Sequence, residues 1–438
     1  MPDMRIGGST VLVMSLLATL LLDVACDRAP RGARLTLIGV SDHANEYVSA
    51  ASDGGMMVAL AWAATSETTG TNILAAMSSD GGETFSAPVR VNSVQAQADV
   101  NGEQPPRVAL ARGVDGALSV VILWTAKGDS GTSLLYASSR DGGRTFEPTR
   151  SLPGVDAPGN RGWESLAAAS DGQLYALWLD HRDGAQTMSG HGHVMQHRDR
   201  PEATPAVDGV TRAQRSQLFV SSLGGSVPPK GIARGVCYCC KTALAAGADG
   251  AVYAAWRHVY EGNQRDIAFT MSRDAGRSFA APVRVSQDEW QLDGCPENGP
   301  AIAAAPDRRI HVVWPTLVRA DNGEMLRLFH ASSEDGRSFT PRVELPASGS
   351  PQHPQIAAAP DGTLVVAWDE IAAGRRHVRV ATGRANGPDG ITFAAEAAGV
   401  DDRPGSNPAL AVTPRGVVLA WTRRGETGSS IAVERLDY

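Results

Sequence analysis

The chain has 438 residues, 42% hydrophobic and 20% charged, with 47 glycines and 26 prolines. This balance suits a turn-rich globular protein and excludes a disordered chain. A net charge of −7 argues against a nucleic-acid partner, and no apolar run beyond the first 25 residues is long enough to span a bilayer.

The N-terminus reads as an export signal. Arg5 supplies a positive start and Val11–Leu22 a 12-residue apolar core. Val24-Ala25-Cys26 follows, and a cysteine after a small residue is where a lipoprotein is cleaved and acylated, although Asp23 departs from the aliphatic residue usual there. The expected division is a signal peptide over 1–25, a lipid-anchored tether over 26–33 and one folded domain over 34–438, facing the periplasm or cell surface. The alternative is an ordinary export signal with Cys26 as a passenger.

The segment Arg34-Leu35-Thr36-Leu37-Ile38-Gly39-Val40 predicts a lone strand. Beyond it the chain repeats. Seven of the nine tryptophans end short apolar runs: VALAW at Trp62, VVILW at Trp124, YALW at Trp178, VYAAW at Trp256, HVVW at Trp314, LVVAW at Trp368 and VVLAW at Trp421. The gaps are 62, 54, 78, 58, 54 and 53 residues. Such a period marks a repeat architecture, and each run has the size and composition of a buried strand. A second apolar run and a Gly/Asp turn precede each, as in AAASDGQLYALW, so the unit contains a strand hairpin.

A second motif follows four of these tryptophans: SSDGGETF (78–85), SRDGGRTF (139–146), SRDAGRSF (272–279) and the shorter SEDGRSF (333–339), with NGPDGITF (386–393) and SSLGGS (221–226) as decayed copies. These resemble the Asp boxes of sialidase-like β-propellers. The resemblance spans the mature chain and implies an all-β propeller of four-stranded blades, with the box on the turn after each third strand. Gly serves the tight turn, Asp and Ser hold its backbone, and the aromatic residue pins it to the blade. The last unit, Pro408–Leu436, has three strand-like runs, so the N-terminal strand is expected to complete it and remove the exposed edges. Seven tryptophan units then give seven blades; sialidases of the family have six, which is the alternative.

The resemblance also implies a working face opposite the boxes, formed by residues after each second strand and before each first strand. Candidate ligand-binding residues there are Arg107, Glu164, His181, Arg182, Arg257, His258 and His353. The long gap after Trp178 carries a polar insertion whose Met188, His191, His193, Met195 and His197 have metal-ligating chemistry and equally fit a solvated loop.

Apart from Cys26, the cysteines are Cys237, Cys239, Cys240 and Cys295, all preceding first strands of adjacent units. VCYCCKT and GCPENGP resemble the C-x-C-C and C-P-x-N-G-P motifs of a bacterial subgroup of sialidase-like proteins, a resemblance that implies no activity. Outside the cytoplasm four cysteines pair as two disulfides; as thiolates joined by His181, His258 or the His/Met loop they suit copper; a redox role is the third reading. The C-x-C-C spacing lacks the two-residue gap of common zinc sites.

Sialidases resemble one another in three carboxylate-binding arginines, a tyrosine nucleophile raised by a glutamate, and an aspartic acid. Arg182, Arg257 and Arg423 with Tyr260 and Glu370 are the catalytic candidates here, with Asp42 as acid. The family's Arg-Ile-Pro motif is absent. The sequence therefore supports a propeller binding a ligand or a soft metal, with copper the metal its donors suit, on the face of the Trp178, Trp256 and Trp314 units. A sialidase-type hydrolase and a protein-interaction scaffold are the alternatives. The expected partners are a membrane through the anchor and a small anionic ligand, glycan or metal, with the protein a monomer.

Overall fold

The computed structural model describes Met1 and residues 35–437, apart from 114, 129–130, 185–207, 321–322, 387–389, 397–402 and 427. The export signal, Cys26, the tether and the loop with Met188, His191, His193, Met195 and His197 lie outside the described residues.

Each apolar run ending in tryptophan forms the second strand of an antiparallel sheet: Val58–Ser66, Leu118–Gly128, Leu174–Asp180, Val252–Arg257, Ile310–Ala320, Leu364–Ala372 and Gly416–Arg424. These strands are flanked on both edges and covered on both faces, which is why their apolar residues run consecutively rather than alternate. All seven tryptophans are at most 1% exposed. Five four-stranded sheets hold Trp124, Trp178, Trp256, Trp314 and Trp368, with strands ordered as in the chain. The strands of Trp62 and Trp421 share one eight-stranded sheet, whose halves meet at a parallel pairing of Ala44 with Ser429.

The N-terminal strand Thr36–Ile38 lies antiparallel to Ser429–Leu436, with Leu37 opposite Ala432. Asn45 locks the arrangement. Its amide nitrogen donates to the carbonyls of Val40 and Ser429, at 3.0 Å each, and its oxygen accepts from the Val40 N–H and the Trp62 indole, also at 3.0 Å.

First strands touch in succession. Ala44–Ser52 packs beside Arg107–Arg112, followed by Arg161–Ala168, Ala243–Ala246, Ala301–Ala304, Ser350–Ala358 and Ser406–Thr413, which in turn contacts Ala44–Ser52. Apolar clusters fill the spaces between neighbouring repeat units. Trp124 packs with Ala59 and Ile73, and Trp62 with Val418, Ala420 and Ile431.

The Asp boxes are turn staples. Ser78 donates to Asp80 at 2.7 Å, and Asp80 accepts from the backbone N–H groups of Glu83 and Thr84 at 2.9 and 3.0 Å. Slight desolvation opposes these bonds, yet with Thr84 and Ser78 they hold the Asp80 carboxyl down at about 2. Asp141 and Asp274 repeat the pattern with Thr145 and Ser278. Gly82 has φ +89°, and a Cβ there would sit 2.4 Å from Val418 of the Trp421 strands. Glycine is thus demanded both by the left-handed backbone and by the neighbouring Trp421 strands.

Candidate functional site

Strand register brings the expected face together. The start of each first strand lies beside the end of the second, as in Ala44 with Thr65 and Arg161 with Asp180, whereas Val58 and Ser78 meet at the box end. Four first strands carry a bulge near their start. There Tyr47, Trp163, His353 and Asn407 adopt φ values of 60°, 54°, 49° and 55°. A non-glycine residue in this region costs about 1–2 kcal/mol, and such strain concentrates at working sites. Sequence gave no sign of these bends.

A turn at Asn101–Gln104, preceding the Trp124 unit, reaches across this face. Glu103 Oε2 accepts the backbone N–H of Lys241 at 2.8 Å and of Gly299 at 3.3 Å. A Cβ on Gly102 would lie 3.1 Å from His353 Nε2 and 2.7 Å from Asn407 Nδ2. Below it is a cavity of about 150 Å³ lined by residues of all seven first-strand regions, among them Ser49, Arg107, Ser165, Lys241 and Gln355. Lys241 donates from Nζ to the Pro354 carbonyl at 2.7 Å, and burial lowers its ammonium to about 8 against the opposing pull of Glu103. Arg107 donates to the Glu164 carbonyl at 2.8 Å. The Glu164 side chain is wholly buried, which raises its carboxyl, and Oε2 accepts from the Thr125 hydroxyl at 2.9 Å while Oε1 has no partner. His353 holds Asp369 at 2.7 Å; burial works against that carboxylate, but His353, Arg376 and the Asn407 N–H together keep it low.

Several sequence candidates are instead occupied in holding the fold. Arg182 pairs with Asp180 at 2.7 Å and lies over the Phe219 ring. Arg257 is 1% exposed and donates to the carbonyls of Asn298, Arg265 and Pro315, its guanidinium over Trp290. Glu370 accepts from the Ser348 hydroxyl at 2.6 Å and the Trp368 indole at 2.9 Å. Tyr260 lies under Arg284, and burial pushes its phenol to about 12. Arg423 is the next-to-last residue of the strand Gly416–Arg424 and, like Arg182 and Arg257, lies outside the cavity lining, so these arginines do not form one pocket around it. His181 bonds Ser216 and packs edge-on to Trp163, and His258 accepts from the Trp256 indole at 3.4 Å; burial lowers both imidazoles to about 4.

The cysteines converge as expected, in a different bonding state. One disulfide joins Cys239 to Cys295, and Cys237 and Cys240 are buried free thiols. Cys240 Sγ lies 3.5 Å from Cys237 Sγ, which is 3.9 Å from Cys239 Sγ. Among the described residues, Cys237, Cys239 and Cys240 are the one group whose donor atoms all fall within 4.8 Å, so His181 and His258 do not join them. Sequence reasoning missed Arg265, whose Nη1 donates to Cys237 Sγ at 3.1 Å. The Cys240 hydrogen bond lowers the Cys237 thiol to about 7 in spite of burial, with Arg265 and Arg257 assisting, while burial pushes Cys240 up. Helix Gly209–Arg215, capped by Asp208 and entered from the polar insertion, brings Val210 and Ala213 over the cysteines beside Trp163 and Tyr238.

No protein-family model matches the chain, and no curated protein resembles it in sequence. Solved structures do. A protein of unknown function from Dyadobacter fermentans is 14% identical with a TM-score of 0.50, over 93% of this chain and 99% of that one. An alpha-L-arabinanase of Penicillium chrysogenum, complexed with arabinobiose, is 12% identical with a TM-score of 0.49, over 93% and 98%. A Hadza microbial sialidase is 12% identical with a TM-score of 0.45, over 88% and 74%. At such identities the likeness concerns fold alone. With the Asp boxes and the four-stranded sheets, the fold is of the β-propeller kind.

Proposed function

We propose that this chain is an exported propeller of seven blades that binds a soft metal ion, cuprous copper, through Cys237 and Cys240. The observation that carries the reading is the buried thiol pair, 3.5 Å apart, with an arginine 3.1 Å from one sulfur. Two thiolates suit a low-coordinate soft cation, and hard cations prefer oxygen donors. Arg265 and Arg257 offset the negative charge that two thiolates around a monovalent ion would leave. Seven blades are supported by the cyclic succession of first-strand contacts and by Thr36–Ile38 standing as fourth strand beside Ser429–Leu436. Export agrees with a disulfide, and acylation at Cys26 is tested by the mass of the mature N-terminus.

Titration of cuprous ion into anaerobic resting protein, against a chromophoric chelator, should show one equivalent bound. Cys237→Ser and Cys240→Ser should each lose it. Uptake that survives both substitutions would overturn the reading.

A second reading, glycoside hydrolysis, is favoured by Glu164, a buried carboxyl raised by desolvation with one oxygen unpartnered, next in the chain to the cavity-lining Ser165. Clean protein that leaves fluorogenic sialosides intact across a wide pH range would exclude the sialidase form of it.

A further inference from the structure

We infer that Cys239 is a third ligand of the copper site, withheld by its disulfide and released when an external thiol attacks Cys295; this rests on the thiol-pair reading above. The two ends of the disulfide differ. Cys239 is 6% exposed and lies within the three-sulfur cluster, whereas Cys295 is exposed on the loop before Ala301–Ala304. A thiolate from solvent therefore meets Cys295 Sγ and not Cys239 Sγ. Its sulfur bonds to Cys295 Sγ, and the electron pair of the broken disulfide bond leaves on Cys239 as a thiolate. A second equivalent of thiol displaces the mixed disulfide, leaving Cys295 as a thiol and the external thiols joined as a disulfide. Two external thiols are oxidised and one protein disulfide is reduced.

The freed sulfur stays in place because the turn that carries it is anchored independently of the disulfide. Cys237 N–H donates to the Arg257 carbonyl at 2.8 Å, Lys241 N–H to Glu103 at 2.8 Å, and Thr242 N–H to the Trp163 carbonyl at 3.1 Å. Cys239 is thus presented beside Cys237 and Cys240 whether or not Cys295 holds it. Two sulfurs bind in the resting state and three in the reduced state, so the site's affinity follows the supply of external thiol.

The test uses the mature chain in four forms: resting, pre-reduced with a small dithiol that is then removed, Cys295→Ser, and Cys239→Ser. Each is titrated with cuprous ion against a chromophoric chelator, and sulfur scatterers per copper are counted by X-ray absorption. The pre-reduced protein and Cys295→Ser should bind at least about tenfold more tightly than the resting form, with three sulfurs in place of two. Cys239→Ser should keep the resting affinity with or without dithiol. Equal affinity and two sulfurs in the resting and reduced wild type would overturn the inference and leave the thiol-pair reading standing. Absence of copper from every form would overturn both. The pre-reduced wild type carries the test should either variant fold poorly.

Discussion

Removal of residues 34–41 is expected to destabilise the domain by at least about 3 kcal/mol and to make it aggregate. Ile38, 8% exposed, leaves the core formed with Val48, Trp62 and Ile431, and a buried aliphatic side chain is worth about 2–5 kcal/mol in such a place. Asn45, itself 2% exposed, loses the two hydrogen bonds it makes with the Val40 N–H and carbonyl, and with them its tie to the N-terminal segment. Ser429–Leu436 also loses its antiparallel partner strand and presents an open edge, a template for intermolecular pairing. Thermal unfolding and light scattering of the truncated chain measure both effects. A truncated domain as stable and monodisperse as the full one would show that the N-terminal strand does not hold the last blade.

Loss of the Cys239–Cys295 bond should cost about 4 kcal/mol in metal-free protein, the chain-entropy value for a loop whose ends are 56 residues apart. The bond ties the turn before Ala243–Ala246 to the loop before Ala301–Ala304, two neighbouring sheets that also meet through side-chain packing, the hydrogen bonds of Arg257 to the Asn298 and Pro315 carbonyls, and the Glu103 bridge between Lys241 and Gly299. Denaturant unfolding of Cys295→Ser beside the wild type checks the size. Cuprous ion should restore part of the loss, because a ligand of the native state stabilises it by mass action. A variant unchanged in stability would mean that packing and these hydrogen bonds join the sheets without the disulfide.

The parts legible in sequence were those written as local pattern. The tryptophan runs, the Asp boxes and the spare strand at 34–40 declare themselves because each is a short stretch whose composition reports its own burial or turn geometry. Convergence of the cysteines was legible for the same reason, since position within the repeat fixes position on the face. What escaped was the choice of partner across units. The pairing of Cys239 with Cys295, leaving Cys237 and Cys240 as thiols, depends on which sulfur of a tight turn points outward. Arg265 reaches Cys237 from just before the third strand Ile267–Ser272, a place assigned no role. Arg257 and Glu370 sit where face residues should sit, yet their heads turn to carbonyls and to Ser348, so location alone did not make them available. The Asn101–Gln104 turn belongs to no repeat, and its reach to Lys241 and Gly299 exists only in three dimensions.

The metal-binding thiol pair is tested most directly by copper X-ray absorption on resting protein loaded with one equivalent of cuprous ion. The account predicts a first shell of two sulfurs, lost on substitution of either Cys237 or Cys240. A shell of nitrogen or oxygen donors, or copper retained with both cysteines replaced, would contradict it.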